Sequence, residues 1–396
     1  MKNYKLHVPE GFRDNVGIFA LAKKEIEKRC FDLYRLYGYT PIETPEVEYI
    51  DVFSFDGIQK PDLYNLINRQ GEVLALRNDM TSSIARYVSS NPKNEKAVLK
   101  YSYIADVFRY PRLYQGKNHQ FKQAGIELIG KSNEYCDVEA IYLAYKSLKA
   151  CNVDKFTIHL GSQEFLETLF DDFEISSDIK NKLFDAIESK DYVSLKHILN
   201  STLDEDKASF IVDLMLRGGH LRFIESLMLK LEGLKSYQVL KNLKKIFQML
   251  TELEITNVIF DFSIYSYANY YTGIIFQVYV DSIKKAVLSG GRSDSLYKSF
   301  GKDLEDIGFG LEIDSLAEYV IDNDLIDLKK VKYLSYSDSK SFITATINNE
   351  TFREDGVIVS DGHFNSKDEA IEYAKNNDFD AVIEYTDNKI RLWEVK

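Results

Sequence analysis

Apolar and polar residues alternate at period two on both sides of a basic turn, over residues 107–110 and 121–129, with Pro111 and Gly116 between them. That pattern predicts two strands joined by a long hairpin loop. Residues two apart on a strand point the same way, so Gln123, Gly125 and Glu127 share one face. Elsewhere the period is helical. Ile18, Leu21, Ile26, Cys30, Leu33 and Leu36 predict a helix over 14–37, with Asp14 as its cap and Gly38 as its stop. A strand is expected over 39–48, carrying Thr44-Pro45. Two more, 63–68 and 73–77, flank Gly71, and a helix opens at Asp79-Met80-Thr81, with Asp79 or Thr81 as N-cap. A helix over 134–150 and a strand over 156–160 follow.

From 162 to 254 the texture changes to long, charge-rich amphipathic runs interrupted at Gly218-Gly219, which predicts a helical insertion between two halves of a sheet domain. Strand character resumes at 258–262 and 274–280. Residues 289–294 read as a glycine-rich turn, and 307–311 as a strand or helix entry. After an acidic hinge at 322–327, strands over 332–336, 356–360, 381–384 and 390–394 with helices at 339–347 and 367–376 predict a small α/β domain. The expected organisation is therefore a core of 1–161 and 255–321, an insertion of 162–254, and a C-terminal domain of 322–396.

A chain of 396 residues suits two or three domains. Its formal charge of −12 argues against a broad nucleic-acid surface, and no nucleic-acid partner is expected. Cys30, Cys136 and Cys151 show no CxxC spacing and suit small buried hydrophobes in a reducing cytosol. No apolar signal core and no run near 18 apolar residues occurs, so a cytoplasmic protein without a membrane span is expected. The glycine-rich turns lack dinucleotide or P-loop spacing, and neither metal nor cofactor is expected.

The hairpin carries the candidate chemistry. An Arg109 fork at one end, with Gln123 and Glu127 on the returning strand, suits a zwitterion such as an amino acid. A solvated basic hairpin tip accounts for the same composition. Asp79 and Thr81 serve equally as caps or ligand contacts, and Tyr265, Tyr267, Tyr270 and Tyr271 as core or as the wall of a flat pocket.

Taken together, the motifs resemble the catalytic core of histidyl-tRNA synthetase over about residues 9–320. They are Gly11-Phe12-Arg13-Asp14, Gly38-Tyr39 with Thr44-Pro45, Leu76-Arg77-Asn78-Asp79-Met80-Thr81, Phe108-Arg109-Tyr110 with Gly116, Gln123 with Glu127-Leu128-Ile129-Gly130, Tyr270-Tyr271-Thr272-Gly273 and Gly290-Gly291-Arg292. The resemblance implies an α+β fold, a class II aminoacyl-tRNA synthetase-like antiparallel sheet flanked by helices. It also implies a histidine pocket. Asp79 and Thr81 would hold the ammonium, Arg109 and Gln123 the carboxylate, and Glu127 with Tyr271, beside Tyr270, the imidazole.

The departures lie on the ATP side. Ser266 and Ser315 stand where the synthetases carry arginines, Glu312 replaces a glycine, Asn269 an aspartate, Pro111 a glutamate and Lys117 an arginine. Adenylation needs cations at the α-phosphate, and each positioned donor removed costs about 100- to 1,000-fold in rate. A synthetase core without catalysis resembles the regulatory subunits of ATP phosphoribosyltransferase. That resemblance implies a hetero-oligomer with the short-form catalytic subunit, histidine as effector of histidine biosynthesis, and a homodimeric core. The alternative is an active histidyl-tRNA synthetase, which would want both arginines and a more basic C-terminal domain. A third, an amino-acid ligase acting on another protein, fails on the same ATP side.

Overall fold

The computed structural model describes residues 4–53, 63–91, 98–110, 118–131, 133–265, 271–328, 330–386 and 389–395. They form two compact units that divide between Ile326 and Asp327.

The larger unit begins with α1 (Gly17–Leu36), which starts later than its periodicity suggests. Val16 precedes it without a side-chain cap, so Asp14 does not cap it. The buried stripe is narrow, Ala22, Ile26, Cys30 and Tyr34 at four-residue steps, while Ile18, Leu21 and Leu36 face outward. Gly38 ends the helix at φ +81°, a left-handed position that favours glycine.

The single strand expected over 39–48 is instead two short ones, β1 (Thr40–Pro41) and β2 (Val47–Tyr49). Pro41 and Pro45 have no N–H to give a ladder, which explains the break. Two strands pair antiparallel about Gly71, β3 (Asn65–Ile67) and β4 (Val73–Leu76). With β2 on the other side of β4 they make a separate three-stranded sheet. The helix α2 (Thr81–Ser90) follows.

The hairpin strands are β5 (Leu99–Phe108) and β6 (Gln120–Ile129); β5 begins eight residues before the alternation becomes visible. Next come α3 (Glu134–Ala150), capped by the Asn133 side chain, and β7 (Phe156–Ser162). Six helices succeed one another: α4 (Gln163–Asp172), α5 (Ser177–Glu188), α6 (Tyr192–Thr202), α7 (Glu205–Leu216), α8 (Leu221–Lys230) and α9 (Lys235–Glu252). The chain then returns through β8 (Val258–Phe260), β9 (Ile274–Val280), β10 (Leu288–Arg292), α10 (Asp294–Ser299), β11 (Asp306–Glu312) and α11 (Ile313–Asp322). Residues 288–292 are thus a strand and not a turn. Its glycines serve close packing, since a Cβ on Gly290 would lie 2.5 Å from the Gly308 carbonyl oxygen and from the Phe276 ring.

The main sheet runs β1-β5-β6-β11-β10-β9-β7-β8, antiparallel except for its two end pairs. One face packs on α1, where Tyr34 is fully buried against Phe309 and Ser147. On the other face Met80, Ile84, Tyr103, Phe121, Ile129 and Tyr297 form a second core beneath α2 and α10. This is an α+β architecture built on a largely antiparallel sheet flanked by helices, as the resemblance implies.

The smaller unit contains β12 (Lys332–Ser337), α12 (Phe342–Glu354), β13 (Ile358–Gly362), α13 (Lys367–Asn376), β14 (Ala381–Thr386) and β15 (Lys389–Glu394), with strand order β13-β12-β14-β15. Helix α12 starts later than 339 and runs past 347, because Asp338 accepts from the Lys340 and Ser341 N–H groups and turns the chain first. All three cysteines are buried and free. No described helix is long and apolar enough to cross a membrane, and among the described residues no group of three or more His, Cys, Asp or Glu is placed to hold a metal.

Candidate functional site

Register builds the site. Along β6 and β11 the cross-strand pairs are Gln123 with Glu312, Gly125 with Gly310, Glu127 with Gly308 and Ile129 with Asp306. Glu127 therefore lies directly opposite Gly308, and Gln123 reaches diagonally over Gly310. A Cβ on Gly308 would fall 1.9 Å from Glu127 Oε2, and one on Gly310 would fall 2.1 Å from Gln123 Nε2. Only glycine lets both side chains fold across the sheet. The result is a cleft of about 700 Å³, counting its open mouth, with Asp79, Thr81, Arg109, Gln123, Glu127 and Tyr271 on its lining.

Asp79 is buried and accepts from the Ser82 N–H at 2.8 Å, so it secures the start of α2 while facing the cleft. Thr81 does no capping; its hydroxyl donates to Glu127 Oε1 at 2.6 Å. Arg109 is exposed at the mouth, donating Nε–H to the Asn78 carbonyl at 2.9 Å, with its guanidinium 5.1 Å from the centre of the Phe121 ring. The Tyr103 hydroxyl lies 3.3 Å from Gln123 Oε1 and from the Phe309 carbonyl. Tyr271 rests against Gly291, whose Cβ would come within 2.8 Å of the ring. Ser266, Asn269, Tyr270, Pro111, Gly116 and Lys117 lie outside the described residues.

Burial dominates the electrostatics. It raises the Asp79 carboxyl, opposed by the Ser82 bonds and by Arg109. It raises Glu127 well above the usual carboxylate range, with Asp306 adding to the rise and Thr81 opposing it. Asp306 is pushed up to about 7, again chiefly by burial. Tyr103 and Tyr271 are also raised and stay neutral. The cleft thus offers donors for a carboxylate at its mouth and acceptors for N–H groups at its floor.

The other end is different. Glu312 occupies the last position of β11, and its Oε1 accepts from Ser315 Oγ at 2.8 Å and Lys285 Nζ at 2.5 Å. Asp314 points away, bonded to Lys23 Nζ and to the Lys122 N–H, each at 2.7 Å. Arg292 is buried against Asp137 at 2.8 Å and donates to the Asn133 carbonyl at 3.0 Å, on the far side of β10. A carboxylate neutralised by its own lysine stands where the resemblance places ATP phosphates.

Asp306 and Tyr103 escape sequence reasoning. For Asp306 a signal existed, a charged residue opening an apolar strand two positions before Gly308 and hence on the same face. Tyr103 has none, because nothing local marks Gly125 as the place its ring crosses; a Cβ there would lie 2.5 Å from the Tyr103 hydroxyl.

The family model for histidyl-tRNA synthetase matches residues 11–316. An ATP phosphoribosyltransferase regulatory subunit from a Thermoanaerobacter species is 30% identical, over 96% of this chain and 99% of its own. One from Clostridium kluyveri is 29% identical, over 94% and 97%. A crystal structure from Bacillus halodurans, described as an ATP phosphoribosyltransferase regulatory subunit/histidyl-tRNA synthetase, superposes with a TM-score of 0.85 at 27% identity, covering 97% of this chain and 99% of that one. Histidyl-tRNA synthetase from a Nostoc species shares the fold at a TM-score of 0.81 and 19% identity, over 96% and 92%.

Proposed function

Because this chain belongs to the histidyl-tRNA synthetase family, and within it to the ATP phosphoribosyltransferase regulatory subunits, we propose that its cleft binds free histidine and that this binding regulates a short-form catalytic subunit. The chain is a non-catalytic regulatory subunit with a synthetase-like core. The observation that carries the histidine reading is the contrast within one cleft. The amino-acid end keeps Asp79, Thr81, Arg109, Gln123, Glu127 and Tyr271 together, while at the nucleotide end Glu312 is paired with Lys285. Glu127 accepts from the ring N–H and Arg109 pairs with the carboxylate. Regulation is then a coupling free energy between this cleft and the catalytic partner, typically about 1–3 kcal/mol, and linkage makes it reciprocal. The catalytic subunit's substrates alter histidine affinity here by the matching factor.

A homodimeric core belongs to the same proposal. Val47, Tyr49 and Leu66 are exposed apolar residues on one face of the three-stranded sheet, a surface suited to a second copy. Cytoplasmic assembly with the catalytic subunit completes it.

Calorimetric titration of histidine into the isolated protein and its Glu127→Ala variant tests the cleft. Stranding a buried charged partner costs about 2–5 kcal/mol, so affinity should fall roughly 30- to 5,000-fold. Equal binding by both proteins, or binding by neither while the complex remains inhibitable, would overturn the cleft reading.

A further inference from the structure

Two carboxyls meet at the floor of the cleft. Asp306 is fully buried and Glu127 is 2% exposed. Oδ2 of Asp306 accepts from Ser293 Oγ at 2.5 Å, and its backbone N–H donates to Asp294 Oδ1 at 2.8 Å. Oδ1 of Asp306 is buried and has no protein donor among the described residues; the neighbour its carboxyl meets is the carboxyl of Glu127. Glu127 already accepts from Thr81 through Oε1.

Other charges do not resolve the contact. Asp79, Tyr103 and Tyr271 face Glu127 from α2's entry, β5 and β9's entry, with Arg109 at the mouth. Asp294, Arg292, Tyr297 and Tyr39 surround Asp306, and Arg292 is matched by Asp137. Two ionised carboxylates in contact and out of water repel and leave lone pairs unmet. One proton between them removes both penalties.

We propose that Asp306 is a positioning residue in a Glu127–Asp306 carboxyl pair that shares one proton, and that ligand binding draws this proton onto Asp306 and leaves Glu127 ionised, so that the cleft selects a cationic heteroaromatic ring over a neutral one. The inference rests on the histidine reading of the cleft and deepens it. In the bound state the Asp306 O–H donates to one oxygen of Glu127, and the ring N–H donates to the carboxylate from the open side. The pair keeps its single proton and its single negative charge. Where the ring is neutral in solution, above its usual pKa near 6.5, it takes one proton from solvent on entering.

Calorimetry at pH 8 in buffers of different ionisation enthalpy measures that uptake. Wild type should take up close to one proton per histidine. Asp306→Asn retains a donor to Glu127 and should keep the uptake, with affinity within a few-fold. Asp306→Ala removes the donor, so Glu127 in its dry site takes the proton itself. Uptake should then vanish and affinity fall about 10- to 100-fold. A purely structural Asp306 would lower affinity in both variants and leave uptake unchanged, which would overturn the proposal.

A ligand-free measurement separates this inference from the histidine reading. Infrared spectra at pH 7 should show the carbonyl stretch of a buried protonated carboxylic acid in wild type, lost in Asp306→Asn. No such band in wild type overturns the carboxyl pair. A band in a protein that does not bind histidine upholds the pair and overturns the histidine reading.

Discussion

The two ends of the cleft share strands β6 and β11 yet have opposite chemistry. At one end Glu127 crosses above Gly308, buried and bonded to Thr81, with Asp79 and Arg109 alongside. At the other, Glu312 pairs with Lys285 and Ser315 at the strand's edge. The first carboxylate has no lysine or arginine bonded to it among the described residues. The second is satisfied by its own chain. The proposed reading rests on this difference, because amino-acid binding needs placed hydrogen bonds whereas adenylation needs positive charge at a phosphorus centre.

The strongest test of that division is ATP chemistry. With donors each worth about 100- to 1,000-fold missing, histidine-dependent pyrophosphate exchange into ATP should be undetectable. The combined reversal Glu312→Gly, Ser315→Arg and Ser266→Arg should raise exchange above background. Exchange by the unmodified protein would dissolve the distinction between the two ends. Next in size is Arg109→Ala, which removes the charged donor at the mouth and should weaken histidine about 10- to 100-fold by calorimetry. Glu312→Ala, at the nucleotide end, should change it by no more than about twofold. Comparable losses in the two variants would show that the ends act as one.

A pH experiment sharpens the role of the buried pair. Asp306 titrates near 7 folded, against an unfolded carboxyl near 4, so the fold favours its protonated form. Its contribution to stability is complete below about pH 4 and is lost as pH rises through 7. Denaturant melts of wild type and Asp306→Asn should therefore differ progressively, wild type losing ground from pH 4 to 7. A difference that grows in the opposite direction contradicts the assignment. Tyr49→Glu should have the smallest effect on the fold, within about 0.5 kcal/mol, since Tyr49 is 56% exposed. It should nevertheless dissociate the homodimer in sedimentation. A wild-type chain that sediments as a stable monomer at micromolar concentration would leave the exposed face without its proposed occupant.

Much of this was legible locally. The helix over 134–150, the strand over 274–280 and the helix over 367–376 coincide with α3, β9 and α13, each bounded by residues whose local chemistry ends an element. The shared face of Gln123 and Glu127 follows from period two alone. The glycines of 289–294 misled because glycine signals a turn when read locally, whereas here it serves strands that approach too closely for a Cβ. The outward face of α1 misled too, since spacing identifies an apolar stripe without saying how wide a stripe the sheet covers.

By itself the sequence determined the α+β order of elements, the residues of the candidate pocket and the loss of cations at the nucleotide end, because each is a matter of which side chains the chain carries and at what period. Only the tertiary structure decided what those side chains meet. The register of β6 against β11 sets Glu127 over Gly308 and brings Asp306, 179 positions further along the chain, into contact with it. Nothing local fixes a pairing between distant strands. Whether a carboxylate faces water, a lysine or another carboxylate depends on that pairing, and with it the charge that the cleft presents.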